Sequence, residues 1–337
     1  MQKINSFETT RVPGRINSLE TSTDLKCVAK YKLGNQLGKG AYGCVYEATD
    51  EFLQDFALKR VRTVKEDDKI YFENEVTILK LLCKGTKHPN IIELVVSYKE
   101  SDFSSAMVFE LAECDLDVFL TRQKCDLSRE TMQSFAYQLL SAVSYCHSKG
   151  VVHGDIKPMN ILTFGNGSQL KLSDFGAANA FSITKRIYTG CTYVYAPPEQ
   201  FLSNLLVAKE ALDMWSYGMT LLEICRRKRL FSTSSVEREV LLFIFEQFGT
   251  PTIESWPEGV IQLEKYDKKF PKFSAKPLQG FDESLGPCGL RLVNKILVLD
   301  PSKRWSARSC MLHEFFWIDI SCDERELFSP RKRQRIV

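Results

Sequence analysis

The stretch that decides the fold is His153-Gly154-Asp155-Ile156-Lys157-Pro158-Met159-Asn160, near the middle of a chain of 337 residues. Three of its side chains, on Asp155, Lys157 and Asn160, supply a carboxylate, a cation and an amide in one tight loop. A polar surface loop is the ordinary interpretation of one such residue, but it does not explain this combination at this spacing. The carboxylate can accept a proton from a hydroxyl group, and the lysine can neutralise a negatively charged group that moves.

A β-hairpin is predicted directly after this stretch. Ile161-Leu162-Thr163 and Leu170-Lys171-Leu172 flank a Gly165-Asn166-Gly167 turn. Asn160 enters the hairpin and Asp174 leaves it, so their side chains are expected to lie close together. Because Mg²⁺ prefers oxygen ligands and shares its shell with phosphates, the sequence predicts a magnesium site at these two residues.

A glycine-rich stretch, Gly38-Lys39-Gly40-Ala41-Tyr42-Gly43, lies earlier in the chain. A lone G-x-G-x-x-G pattern is weak evidence, and a dinucleotide-binding turn is the alternative. That alternative requires a helix next and an acidic residue about 20 positions further on. Here Cys44-Val45-Tyr46-Glu47-Ala48 continues as a strand, so the glycines are predicted to cap a hairpin whose backbone N–H groups can face phosphates.

Lys59 and Glu75 are predicted to pair. Alternation along Phe56-Ala57-Leu58-Lys59 places Ala57 and Lys59 on one face of a strand. A surface lysine is the ordinary interpretation, but the following helix argues against it. Glu75 shares a helical face with the apolar side chains of Tyr71, Phe72, Ile78, Leu79 and Leu82. Because an unpaired buried charge is very costly, Glu75 requires a cation, and Lys59 is the natural candidate.

Composition excludes several classes of function. A net charge of +3 is too small to indicate nucleic acid or a membrane surface as the main partner, and no direct binding to either is expected. No apolar run approaches the roughly 20 residues that cross a bilayer. The 11 cysteines form no C-x-x-C pair, which predicts reduced thiols and an intracellular protein.

The pattern along the chain predicts an α+β fold of two lobes. Residues 1–30 form a flexible polar leader, and residues 31–111 form a β-rich lobe with one helix. Residues 112–319 form a larger, mainly helical lobe, and residues 320–337 form a basic tail. The predicted helices include one that begins after Ser128 as N-cap and one over Leu212–Arg226 that is apolar on nearly all sides.

Together these residues resemble the eukaryotic protein kinases, from about Tyr31 to Ile318. Further segments carry the resemblance: Asp174-Phe175-Gly176, Pro197-Pro198-Glu199, Asp213-Met214-Trp215-Ser216-Tyr217-Gly218 and Arg304. It implies a two-lobed kinase fold, protein substrates, and ATP and Mg²⁺ as cofactors, with Glu199 paired to Arg304.

The resemblance also implies roles for individual residues. Asp155, Lys157, Lys59 and Glu75 would be catalytic, and Asn160 and Asp174 would bind Mg²⁺. The nucleotide would contact Leu37, Gly38, Lys39, Gly40, Ala41, Tyr42, Gly43, Val45, Ala57, Lys59, Phe109, Glu110, Ala112 and Leu162, with Phe109 as gatekeeper.

Lys157, two residues after Asp155, and Thr192, in the segment before Glu199, resemble the pattern of serine/threonine kinases rather than that of tyrosine kinases. Within the serine/threonine branch, the chain is most similar to the cyclin-dependent kinases and their CMGC relatives, which act in cell-cycle or transcription-linked signalling. This similarity rests on the hinge Val108-Phe109-Glu110-Leu111 and on segments such as Phe248-Gly249-Thr250-Pro251 and Leu299-Asp300-Pro301-Ser302-Lys303-Arg304. It allows a cyclin-like regulatory subunit as a partner, although the sequence of the helix that bears Glu75 does not match a familiar cyclin-binding helix.

Four positions depart from the pattern of these relatives. Gly154, Asn74 and Asn179 replace the three arginines that gather the phosphate of an activation-loop threonine, matched here by regulatory candidate Thr189. We therefore expect an activation loop that is ordered without phosphate. The alternative is that Lys185 and Arg186 bind the phosphate in place of the three arginines. Ala196 replaces the arginine that, in these relatives, shapes the pocket for a proline that follows the target serine or threonine. The resemblance therefore does not by itself imply proline-directed substrate specificity.

Two alternatives to an active protein kinase are a pseudokinase that binds partners as a scaffold and a small-molecule kinase on a related fold. The complete set of ATP, metal and proton-transfer residues argues against the first, and the segment from Thr192 to Glu199 argues against the second. The tail Ser329-Pro330-Arg331-Lys332-Arg333 resembles a nuclear-import patch, so we expect the nucleus and/or the cytoplasm. A terminus with no role is the alternative.

Overall fold

The structure, a computed structural model, describes residues 31–40, 43–123, 126–180, 192–202, 209–231, 236–266, 269–279 and 281–317. Several predictions from the sequence fall outside these residues: the leader 1–30, the tail 320–337, Ala41, Tyr42, Lys185, Arg186 and Thr189.

An antiparallel sheet forms the smaller lobe. Its strands are β1 (Lys32–Lys39), β2 (Gly43–Thr49), β3 (Asp55–Arg62), β4 (Leu94–Ser101) and β5 (Ser104–Glu110), in the order β1-β2-β3-β5-β4. On β3, Leu58 packs with Ala48, Ala106 and Val108 on one face of the sheet. Because neighbouring side chains alternate, Lys59 lies on the opposite face, as the sequence predicts.

Helix α1 (Glu66–Leu82) covers the face of the sheet that carries Lys59. The acidic residues at positions 66–68, in its first turn, interact favourably with the positive N-terminal end of the helix dipole. Its buried residues include Glu75, Ile78, Leu79 and Leu82, which are spaced three or four apart, so one side of the helix turns inward. This spacing brings Glu75 to the sheet.

The larger lobe is helical in its described part. Its helices are α2 (Leu116–Arg122), α3 (Arg129–Ser148), α4 (Pro198–Leu202), α5 (Glu210–Arg226), α6 (Glu237–Phe248), α7 (Pro257–Lys265), α8 (Asp282–Ile296) and α9 (Ala307–Met311). Ser128 caps α3, since its Oγ accepts from the N–H of Thr131 at 3.2 Å. Helix α5 is buried from Asp213 to Ile224 and lies in the centre of the lobe. Both features were predicted.

Short strands position the loop around Asp155. They are β6 (Cys114–Asp115), β7 (Val151–Val152), β8 (Ile161–Phe164), β9 (Gln169–Leu172) and β10 (Asn179–Ala180). Strands β8 and β9 form the predicted hairpin, and β6 joins β8. Strand β7, just before His153, pairs with β10, just after the Asp174 segment. The predicted α+β fold, with one β-rich and one helical lobe, is confirmed.

The described residues show neither a membrane-spanning helix nor a disulfide bond. None of the helices there is long and apolar enough to span a membrane. The described cysteines are all free thiols, and Cys146, Cys288 and Cys310 are buried.

Candidate active site

An ionic cluster joins the sheet, helix α1 and the segment that follows β9. The Nζ atom of Lys59 lies 2.8 Å from Oε2 and 3.0 Å from Oε1 of Glu75. It also lies 2.7 Å from Oδ1 of Asp174. Glu75 is only 1% exposed, so the ion pair predicted from the apolar face of α1 is confirmed. One cation therefore holds two carboxylates that come from distant parts of the chain.

Burial and charge oppose each other in this cluster. Burial raises the pKa of Glu75 to about 6, because its effect exceeds that of Lys59. Burial also acts to raise the pKa of Asp174, but Lys59 outweighs it and the pKa falls to about 2. For Lys59, burial would lower the pKa, yet the two carboxylates raise it above its usual value. Near neutral pH the lysine is therefore a cation and Asp174 an anion.

Asp155 is the centre of a second cluster, in the loop between β7 and β8. Its Oδ2 accepts hydrogen bonds from Lys157 Nζ at 2.6 Å and from Asn160 Nδ2 at 3.1 Å. Its Oδ1 accepts from the hydroxyl and the backbone N–H of Thr192, at 2.9 Å and 3.0 Å. Lys157 also donates to Thr192 Oγ1 at 2.6 Å. The three polar residues of the central motif thus lie together, and Thr192 joins them from a distant segment.

Asp213, on helix α5, holds this loop in place, although it is not among the site residues predicted from the sequence. It is fully buried, and it accepts from the N–H groups of His153 and Gly154, both at 2.8 Å. It also pairs with Nε2 of His147 at 2.8 Å. Burial acts to raise the pKa of Asp213, but the hydrogen bond from His147 and the neighbouring charges lower it. The available signal was an acidic residue among buried apolar side chains of its helix, as it was for Glu75.

Ser173 connects the two ends of the β8–β9 hairpin. Its N–H and its hydroxyl both donate to the carbonyl of Asn160, each at 2.9 Å. The backbone of Asn160 therefore lies beside Ser173, the residue that precedes Asp174, as the hairpin predicts. Buried His153 supports this arrangement, with Nε2 2.9 Å from the carbonyl of Ser173.

Asn160 and Asp174 offer oxygen atoms of the kind that a magnesium ion binds. Asn160 binds Asp155 through Nδ2, and Lys59 takes Oδ1 of Asp174, so these bonds leave Asn160 Oδ1 and Asp174 Oδ2 unused. In the described part of the chain, no group of three His, Cys, Asp or Glu residues could hold a metal by itself. A magnesium ion here would share its shell with phosphate oxygens, as Mg²⁺ commonly does.

The described residues of the glycine-rich stretch lie at the adjoining ends of the antiparallel strands β1 and β2, the hairpin that the sequence predicts. The N–H of Gly40 donates to the carbonyl of Gly43 at 2.8 Å. A Cβ atom at Gly43 would lie 1.9 Å from the carbonyl oxygen of Arg60, so this close approach requires glycine.

The other described candidates for nucleotide contact lie on neighbouring elements. They are Leu37, Gly38 and Lys39 on β1, Val45 on β2, Ala57 and Lys59 on β3, Phe109 and Glu110 on β5, Ala112 after it, and Leu162 on β8. Ala57 pairs with Phe109 across the sheet. The carboxylate of Glu110 binds Lys171 at 2.6 Å and 2.7 Å, so a ligand would meet the backbone of Glu110 rather than its side chain.

The family model of the protein kinase domain matches residues 31–316. The chain belongs to the protein kinase family. The match covers both lobes and all the clusters described above, so the architecture is the two-lobed kinase fold.

The kinase domain is tightly packed around the carbonyl group of Ala177, at two of the positions where the resemblance led us to expect arginine. Gly154 has φ +80°, and a Cβ atom there would lie 3.1 Å from the carbonyl oxygen of Ala177. Buried Asn179 donates to the same carbonyl from Nδ2 at 3.2 Å. Because a side chain at Gly154 would be strained, the backbone itself disfavours an arginine at that position.

Helix α4 of the kinase domain is anchored by the ion pair expected from the resemblance, because Glu199 lies in its first turn. Arg304 donates to Glu199 at 2.5 Å and 2.7 Å. Ala196 is fully buried, and the hydroxyl of its neighbour Tyr195 donates to Glu223 at 2.6 Å.

Proposed function

We propose that this chain transfers the γ-phosphate of Mg-ATP to serine and threonine hydroxyls of proteins. The network around Asp155 supports this proposal best, because it combines a carboxylate, a cation and an ordered threonine at one point. A polar loop with no chemical role would not require these three groups to bind one another. Membership of the protein kinase family supports both the reaction and the protein substrate.

Lys59 would bind the α- and β-phosphates of ATP. Its Nζ is fixed by Glu75, so the lysine does not have to be ordered when the nucleotide enters. The backbone at the turn between β1 and β2 would cover the phosphates, and the hinge from Glu110 to Ala112 would hold the adenine. Asn160 and Asp174 would hold Mg²⁺, which when bound neutralises charge on the phosphate oxygens.

Asp155 would accept the proton of the substrate hydroxyl. The side chain of Asp155 is 12% exposed, so a substrate hydroxyl would approach the carboxylate through this exposed part. Lys157, which already contacts Asp155, is placed to neutralise the phosphoryl group as it moves. These groups mainly position reactants and compensate charge.

Specificity for serine and threonine is supported by the contacts of Lys157 with Asp155 and Thr192. Similarity to the cyclin-dependent kinases supports a role in cell-cycle or transcription-linked signalling, with a cyclin-like subunit as a candidate partner. Because Ala196 replaces the arginine of those relatives, we do not include proline-directed specificity in the proposal. The basic tail, residues 320–337, supports a location in the nucleus as well as the cytoplasm.

We also propose that the activation loop functions without a phosphate on Thr189. Gly154 and Asn179 carry no positive charge to pair with a phosphate, whereas arginine, which the resembled kinases have at these positions, pairs with phosphate through two parallel hydrogen bonds. The packing of both residues around the carbonyl of Ala177 supports this proposal.

A phosphotransfer assay tests the proposed function. The purified, unphosphorylated chain would be incubated with labelled Mg-ATP and a panel of proteins that includes other kinases, followed by identification of the labelled amino acids. Label on serine and threonine is expected. Label on tyrosine alone would contradict the specificity, and the absence of label on every protein would favour the scaffold alternative.

A further inference from the structure

Asn74 connects helix α1 to the backbone that follows Asp174. Its Nδ2 donates to the carbonyl of Ala178 at 2.8 Å and approaches the carbonyl of Gly176 at 3.4 Å. Both acceptor residues are buried. Buried carbonyl groups require hydrogen-bond donors. The Asn74 amide supplies them to the segment and at the same time fixes the position of the helix.

Tyr71, one turn earlier on α1, makes a second connection to the same segment. A Cβ atom at Gly176 would lie only 1.7 Å from Cζ of Tyr71, so the ring lies directly on the glycine backbone. The Tyr71 hydroxyl donates to Oδ1 of Asp174 at 3.3 Å. Asn74 thus acts at a contact where helix and segment already touch.

The neighbour of Asn74 in sequence is Glu75, which holds Lys59. Any movement of α1 away from the segment would therefore carry Glu75 away from Lys59, which lies on β3. Asparagine supplies two N–H donors without a charge, so this connection needs neither a phosphate nor another anion to balance it.

We propose that Asn74 is a positioning residue, which ties α1 to the Gly176–Ala178 backbone and so keeps the Lys59–Glu75 pair formed in the unphosphorylated chain. The kinetic part of this inference rests on the proposed function, whereas the structural part does not. Asn74, at one of the three positions where we expected an arginine, would thus have a role of its own.

Three variants separate hydrogen bonding from simple space filling. Asn74→Leu keeps a side chain of similar size and a good helix former, but it removes both donors. Asn74→Gln keeps the amide on a longer side chain. Glu73→Ala is the matched control, because Glu73 is the preceding residue of the same helix and is exposed.

Amide hydrogen exchange of the full, unphosphorylated chain gives the first readout. In Asn74→Leu we expect exchange about tenfold faster over α1 and over residues 174–180, which corresponds to about 1.4 kcal/mol of lost local stability. Asn74→Gln should lie between this variant and the wild type, and Glu73→Ala should match the wild type. Unchanged exchange in Asn74→Leu would overturn the inference.

The split between kcat and KM gives the second readout. Asn74→Leu should lower kcat about tenfold, with the KM for the protein substrate nearly unchanged, because the tie positions groups that act on ATP. Faster exchange with an unchanged kcat would show only a structural contact and would also overturn the inference. If the wild-type chain proves inactive, the proposed function fails, and the exchange comparison alone then decides whether the tie exists.

Discussion

The carboxylate of Asp213 accepts a hydrogen bond from the backbone N–H of Gly154 at 2.8 Å, across 59 positions of sequence. The same carboxylate binds the N–H of His153, so one buried side chain fixes the backbone on the N-terminal side of Asp155. The orientation of the predicted proton acceptor therefore depends on a residue of helix α5.

Asp213→Ala tests this dependence. Two buried N–H groups lose their acceptor, and each unsatisfied group costs on the order of 1–3 kcal/mol, so the free energy of unfolding should fall by about 3 kcal/mol. We also expect kcat to fall, because the loop that carries Asp155 is no longer held. Urea unfolding and steady-state kinetics measure the two effects. Glu210→Gln, an exposed change on the same helix, should leave both nearly unchanged.

Gly154→Ala tests the contact with Ala177. Both Gly154 and Gly150 have positive φ, but a Cβ atom at Gly150 would meet nothing within 4 Å. Each substitution should lower the free energy of unfolding by about 1–3 kcal/mol through backbone strain. Only Gly154→Ala should also lower kcat, since it pushes against the Ala177 carbonyl. Equal kinetic effects of the two variants would contradict this interpretation.

The pH dependence of kcat/KM tests the state of Glu75. Because its pKa is raised to about 6, Glu75 gains a proton as the pH falls below that value and releases Lys59. We therefore expect an acidic limb near pH 6, and Asp174, with a pKa of about 2, does not produce it. The raised pKa also means that the contribution of Glu75 to the free energy of unfolding decreases as the pH rises from about 4.5 to about 6.

Glu75→Gln provides the comparison for that profile. Its side chain is neutral at every pH, so kcat/KM should be low throughout and the limb near pH 6 should disappear. An unchanged acidic limb in Glu75→Gln would assign the titration to another group.

Thr189→Ala tests whether phosphate on the activation loop is needed. Because two of the expected phosphate-reading positions are Gly154 and Asn179, we expect kcat to stay within about threefold of the wild type. Thr192→Ala is the matched comparison, since the Thr192 hydroxyl binds both Asp155 and Lys157, and it should lower kcat more. The proposal is wrong if Thr189→Ala loses activity as completely as Asp155→Ala.

Local pattern was sufficient to predict the parts of the site that lie on regular elements. Alternation in β3 and the apolar face of α1 together predicted the pair of Lys59 and Glu75. The turn at residues 165–167 predicted that Asn160 and Asp174 approach each other. In each case the period of a strand or helix indicates which side chains face inward, and a buried charge then requires a partner.

The contacts that the sequence did not predict join residues far apart in the chain. Periodicity indicates that Asp213 is buried, but it does not indicate which of many backbone groups it binds. The same is true of Asn74, whose acceptor at Ala178 is 104 positions away. Such partners are determined by how helices and strands pack in three dimensions, and the pattern along one segment carries no information about them.

Phosphotransfer by Asp155→Asn tests the central claim most directly. The asparagine has a similar shape but does not accept the proton of the hydroxyl, so kcat should fall by about 10² or more, while the Kd for Mg-ATP changes little. Asp126→Asn, at a largely exposed aspartate, should behave like the wild type. The account is contradicted if the wild type and Asp155→Asn transfer phosphate to protein at the same rate, or if neither transfers any.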